Sequence, residues 1–186
     1  MGKIIVVSGV PGVGKTSVVT EGMKGTDFEI ATFGTFMFDI AKMRGLVSNR
    51  DEMRTNIGPE EYKEIQIEAA RKIKEFGKEN NIILDTHCSI RRPDGFYPGL
   101  PKEVLAHLPF SAMVLIEGKK EDIRARRKVD EDTRDRDADD FLLHQEINRA
   151  FAAAYCSEVG APLKIIINEQ GKLADAGDRL RDVMRL

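Results

Sequence analysis

At 186 residues, with 41% hydrophobic and 32% charged residues, the chain has the size and make-up of one domain with a single core and a charged surface. A formal net charge of −2 provides no bulk basic field for nucleic acid, and no apolar run nears the roughly 18 residues of a membrane span. Cys88 and Cys156 form no Cys-x-x-Cys pair, which points to free thiols in a reducing compartment rather than to a zinc site or a disulfide.

Met1 is followed almost directly by a first strand at 3–8, with no basic n-region, which predicts a protein without a secretory leader. That strand, Lys3-Ile4-Ile5-Val6-Val7-Ser8, is rich in β-branched residues and reads as a buried parallel strand. Next comes Gly9-Val10-Pro11-Gly12-Val13-Gly14-Lys15-Thr16, which fills every fixed position of the phosphate-binding pattern G-x-x-x-x-G-K-[ST]. The glycines let the backbone turn tightly and bring its N–H groups against phosphate oxygens. Lys15 supplies a cation for the β- and γ-phosphates, and the Thr16 hydroxyl suits Mg²⁺. A helix starting at 17–23 turns its positive end to the same anion. Strand, loop and helix in that order form the context the motif needs.

Further along, a second strand is expected at 28–33 and a helix at 35–44, closed by Gly45. A long helix follows at 60–78, started by Gly58-Pro59, with Tyr62, Ile65, Ala69, Ile73 and Phe76 recurring every three or four residues. Strands are expected at 81–85, 112–117 and 163–168, and helices at 101–108, 120–128, 140–158 and 173–186. Five strands with crossover helices predict an α/β P-loop fold with a doubly wound, mainly parallel sheet, its ligands beyond the strands' carboxyl ends.

Two more groups of residues carry chemistry. Asn81-Ile82-Ile83-Leu84-Asp85 is an apolar strand ending in a carboxylate, the place from which a P-loop protein holds Mg²⁺, often through water. His87 follows at the same strand end as a candidate substrate contact, and no partner ligands have zinc spacing around it. Residues 124–137 form the densest charged stretch, and Arg134 and Arg136 alternate within it. In an extended lid both would face phosphates, neutralising transferred charge and excluding water. The guanidinium of Arg54, in Arg50-Asp51-Glu52-Met53-Arg54, is a natural fork for an acceptor's phosphate, and Arg91 and Arg92 are further anion contacts. The Asn-Lys-x-Asp motif of a GTPase is absent, since the nearest segment is Ile167-Asn168-Glu169-Gln170. A small P-loop chain with an arginine lid points to a kinase of a small acceptor.

With these motifs the chain resembles the archaeal-type adenylate kinases over essentially its whole length. The resemblance rests on Val7-Ser8 with the P-loop, on Phe33-Gly34-Thr35-Phe36-Met37 and on Arg50-Asp51-Glu52-Met53-Arg54. It continues through Ile65-Gln66-Ile67-Glu68-Ala69-Ala70, Asp85-Thr86-His87, Pro93-x-Gly95-x-x-x-Gly99-Leu100-Pro101 and Thr133-Arg134-Asp135-Arg136. It implies Mg²⁺-dependent interconversion of ATP and AMP with two ADP, in the cytoplasm, by a homotrimer. It also implies a single nucleoside monophosphate kinase-like domain over 1–186, with AMP-side helices at about 35–78 and a short lid at about 127–139. Ser8, Gly9, Val10, Pro11, Gly12, Val13, Gly14, Lys15 and Thr16 would hold the ATP phosphates. Thr35, Arg54, His87 and Arg92 would lie on the AMP side. Lys15, Arg127, Arg134 and Arg136 would be catalytic, and Thr16 and Asp85 would serve the metal, the latter through water. No membrane or nucleic acid is expected as partner. Two other readings fit the P-loop, which reads only phosphate. One is a kinase for another nucleoside monophosphate or a small alcohol; the other is an ATP-dependent assembly factor.

Overall fold

The computed structural model describes residues 2–123 and 138–186. Five parallel strands form the central sheet: β1 (Ile4–Ser8), β2 (Phe28–Thr32), β3 (Asn81–Asp85), β6 (Ala112–Glu117) and β7 (Leu163–Ile167). Their order across the sheet is β2-β3-β1-β6-β7. The helices are α1 (Lys15–Met23), α2 (Phe33–Met43), α3 (Pro59–Glu79), α4 (Lys102–Leu105), α5 (Ala138–Val159) and α6 (Leu173–Arg185). Among the described residues the expected strands and helices are present, with ends displaced by three residues at most. Of the helix expected at 120–128, residues 120–123 are described and are helical.

The three central strands are buried on both faces, which is why they read as unbroken apolar runs rather than as alternation. Their successive side chains enter two different layers. Ile4, Val6, Ile82, Leu84, Met113 and Leu115 pack with residues of α2, α3, α4 and α5. Ile5, Val7, Ile83, Val114 and Ile116 pack with α1 and α6. Helix α3 shows how one stripe is used: Ile65, Ala69 and Ile73 are fully buried at four-residue spacing while its acids and lysines stay outside.

A two-stranded antiparallel hairpin, β4 (Ser89–Arg92) with β5 (Gly95–Pro98), follows β3 and was not expected from the sequence. It overlaps the Pro93-to-Pro101 segment. Its base is closed and tied to α5 at one crowded point. The Gly99 N–H donates to the Cys88 carbonyl at 2.9 Å, and Tyr155 of α5 donates its hydroxyl to the same carbonyl at 2.8 Å. A β-carbon on Gly99 would lie 1.8 Å from the His87 carbonyl oxygen. Only glycine fits there, because the obstacle is backbone and cannot rotate aside. Gly99→Ala should therefore destabilise the protein by at least about 2 kcal/mol, the upper part of the overpacking range, read as a lowered urea midpoint.

Candidate active site

Buried polar side chains gather at one edge of the sheet. Ser8, Thr86, Glu117 and Asn168 lie at or just past the carboxyl ends of β1, β3, β6 and β7, and Gln145 and Asn148 reach the same edge from α5. The connections leaving β1 and β6 run to opposite sides of the sheet, so the crevice beyond these ends is where a doubly wound fold takes its ligand.

The P-loop leaves β1 at this point. Gly12 and Gly14 have φ of 91° and 79°, in the left-handed region that favours glycine. Gly9 passes so close to β6 that a β-carbon would lie 2.6 Å from the Ile116 carbonyl oxygen. Lys15 opens α1 and Thr16 is exposed on its first turn. The first amides of α1 have no acceptor inside the helix and form, with the loop, a concave set of N–H donors for an anion.

Parallel register brings the acid to the lysine. Val7 of β1 pairs with Asp85 of β3, so Asp85 ends its strand beside the start of the P-loop. The Lys15 ammonium is ion-paired and hydrogen-bonded to the Asp85 carboxylate. The structure thus joins two residues 70 positions apart that the sequence marks as site candidates. The Asp85 carboxylate and Thr16 hydroxyl are hard oxygen donors of the kind Mg²⁺ takes. Among the described residues there is no group of three His, Cys, Asp or Glu able to hold a metal, so the phosphates and water would complete the coordination.

Thr35, expected on the acceptor side, follows the strand next to β3. Thr32 of β2 pairs with Asp85, and α2 begins at the next residue, so Thr35 sits on its first turn at the same edge. Arg50 is the arginine that reaches it: its Nη2 donates to the Thr35 hydroxyl at 2.7 Å, and its guanidinium lies 5.3 Å from the Phe38 ring centre. Arg50 was read only as a neighbour of Arg54. Arg54 ends a 3₁₀ turn at Asp51–Arg54; its side chain lies outside what the structure describes. His87 is exposed past β3. Arg92 lies on the hairpin with its guanidinium 4.9 Å from the Tyr97 ring centre. Arg127, Arg134 and Arg136 lie outside the described residues.

Sequence reasoning missed the opposite wall. Glu117 ends β6 with its side chain only 4% exposed, and Arg149 of α5 grips it at 2.7 Å and 2.5 Å through Nε and Nη2. This carboxylate raises the Arg149 pKa above its ordinary value, chiefly through that hydrogen bond. One turn earlier, Gln145 accepts from the Gly118 N–H at 3.0 Å and donates to the Gly118 carbonyl at 3.3 Å. The signal was available: β6, like β3, is an apolar strand ending in an acid. Cys88 is also at this edge, but burial, with Cys156 nearby, pushes its thiol up to about 12, so it stays protonated and is a poor nucleophile.

A P-loop, an acid paired with its lysine and a parallel sheet of this strand order define a P-loop nucleotide-binding fold. Solved shikimate kinases share the fold: that of Bacteroides thetaiotaomicron has a TM-score of 0.60 at 15% identity, covering 99% of each chain. The shikimate-bound enzyme of Acinetobacter baumannii also scores 0.60, at 14% identity, covering 100% of this chain and 94% of its own. A family model described as an AAA domain matches residues 8–142. An adenylate kinase of Methanothermobacter thermautotrophicus is 44% identical over 185 residues, 98% of this chain and 99% of the relative. One from Thermoplasma acidophilum is 48% identical over 171 residues, 90% of each, and one from Methanocaldococcus jannaschii 42% identical over 191, 98% of each. The chain belongs to the adenylate kinase family.

The wall formed by β6 and α5 makes its own prediction. Arg149→Met strands the Glu117 carboxylate in a buried place. Since Arg149 itself is 51% exposed, water will soften the effect, and the loss should be about 1–3 kcal/mol by urea unfolding. Glu117→Gln with Arg149→Met should recover part of it.

Proposed function

We propose that the chain catalyses the reversible, Mg²⁺-dependent transfer of the γ-phosphoryl group of ATP to AMP, giving two ADP. The observation that carries the reading is the Lys15–Asp85 pair inside a complete P-loop, in a chain 42–48% identical to adenylate kinases over 90% or more of its length. The activity those relatives are named for fits a site with anion donors on one strand end and Thr35 and Arg50 two strands away.

The residues' work is positioning and electrostatics. The AMP phosphate is already ionised near neutral pH and needs no general base. The Asp85 carboxylate pairs with the Lys15 ammonium. A polyphosphate in the loop competes for that ammonium, and Lys15 then follows the transferring group while the Asp85 carboxylate is released from the pair. Bound Mg²⁺ would supply counter-charge to the phosphate oxygens, with Thr16 and Asp85 as the residues holding it. Gly9 to Thr16 cradle the ATP phosphates. Thr35, Arg50 and Arg54 serve the AMP side, with His87 and Arg92 at its margin. Arg127, Arg134 and Arg136 act on the transferring group from a lid at about 127–139, a role supported by the resemblance to the family.

We also propose a single-domain protein of the cytoplasm that assembles as a homotrimer. Support comes from the family resemblance and from the absence, among the described residues, of a helix long and apolar enough to cross a membrane. Size-exclusion chromatography with light scattering reads the assembly directly.

Turnover should require AMP and Mg²⁺, and AMP should exceed CMP, UMP, GMP and dTMP as acceptor in a coupled ADP assay. Lys15→Met should lower kcat by about 10²-fold or more, as for loss of a transition-state charge contact. Arg134→Ala and Arg136→Ala should cut turnover far more than ATP binding. Slow ATP hydrolysis indifferent to AMP would contradict the proposal.

A further inference from the structure

Asn168 belongs to the segment that lacks the GTPase base-reading pattern, and phosphate chemistry alone gives it no role. In the structure it lies one residue past β7, 4% exposed, with its side chain turned to the P-loop. Its Nδ2 donates to the carbonyl oxygen of Val13 at 2.8 Å, across 155 residues of sequence. A carbonyl only accepts, so chemistry settles which end of the amide faces it. Asn168 is itself held: its backbone N–H donates to the Glu117 carbonyl at 2.8 Å. Glu117 is gripped by Arg149, and Gly118 by Gln145 on both its N–H and its carbonyl.

The consequence follows from peptide geometry. The unit joining Val13 to Gly14 is planar and trans, so its C=O and N–H point in opposite directions. A carbonyl drawn to Asn168 turns the Gly14 N–H away from β7. No hydrogen bond within the described residues takes up that N–H. Gly14 has φ 79° and ψ 29° and immediately precedes Lys15, so its N–H lies at the head of α1. Glycine's freedom on one side of this peptide makes it easy to flip. A flipped unit would present the Val13 oxygen, a partial negative charge, to the phosphates.

We propose that Asn168 is a positioning residue for the donor nucleotide: its amide fixes the 13–14 peptide so that the Gly14 N–H, rather than the Val13 carbonyl, faces the polyphosphate. The role rests on the reading above that the P-loop holds ATP. It assigns to the end of β7 a share in phosphate binding, delivered through a backbone unit.

Asn168→Asp keeps the volume and removes the donor, and Asn168→Ala removes the side chain. In each, Kd and KM for ATP should rise about tenfold, the worth of one charge-assisted hydrogen bond, while KM for AMP stays within about twofold of wild type. Folded variants with unchanged KM for ATP, or with both KM values raised together, overturn the proposal. Wild-type protein provides a test that does not depend on a variant folding. On titration with inorganic triphosphate, the Gly14 amide proton should move downfield and exchange more slowly. Binding that shifts the Lys15 and Thr16 amides and leaves Gly14 unmoved overturns the inference alone. A wild-type chain that takes up no triphosphate overturns the proposed reaction and this inference with it.

Discussion

The parallel pairing of β1 with β3 sets Val7 opposite Asp85, and the rest of the site depends on that register. A one-residue slip would turn every side chain of β3 to the other face, moving Asp85 away from the loop and Ile82 and Leu84 out of their core layer. The apolar strands therefore enforce the chemistry. Ile82, Ile83 and Leu84 are fully buried against neighbours on both faces, and their packing determines where the carboxylate emerges. The ion pair with Lys15 is a product of core packing, and in the proposed reaction it places two opposite charges where a polyanion and its metal would compete for them.

Around that pair, the sheet distributes work by strand. β1 delivers the loop, β3 the acid, β2 the first turn of α2 with Thr35, and β6 and β7 a wall of buried polar groups. The wall is not free: removing Glu117, Gln145 and Asn168 from water is costly unless each finds partners. Each has them, in Arg149, in the backbone of Gly118 and in the Val13 carbonyl. Satisfied buried polar groups hold a single arrangement, which suits a loop whose N–H groups must be aimed before the phosphate arrives.

Much of this was legible in the chain because local rules carry it. The P-loop is written in residue types that turn geometry demands, and Gly12 and Gly14 do adopt the left-handed conformation. Asp85 was legible as an acid capping an apolar strand, and α3 as a stripe at helical spacing. The hairpin was not, because Ser89–Arg92 and Gly95–Pro98 are four residues each, and the first ends in two arginines. Glu117 carried the same signal as Asp85 but lacked a motif beside it. Arg50 was passed over for Arg54, since only the path of the loop after α2 decides which guanidinium meets Thr35. Asn168 had no readable signal, because a side chain bound to a backbone carbonyl 155 residues away leaves no trace in pattern or period.

The central claim is that donor and acceptor phosphates are held together at one sheet edge, across the Lys15–Asp85 pair. A dinucleotide of two adenosines joined by five phosphates spans both halves at once, so calorimetric titration with it tests the claim most directly. The account predicts one molecule bound per chain, more tightly than ATP or AMP alone, with both nucleotides displaced and Lys15→Met abolishing the gain. Binding no tighter than ATP, or a complex that still takes up AMP, would contradict it.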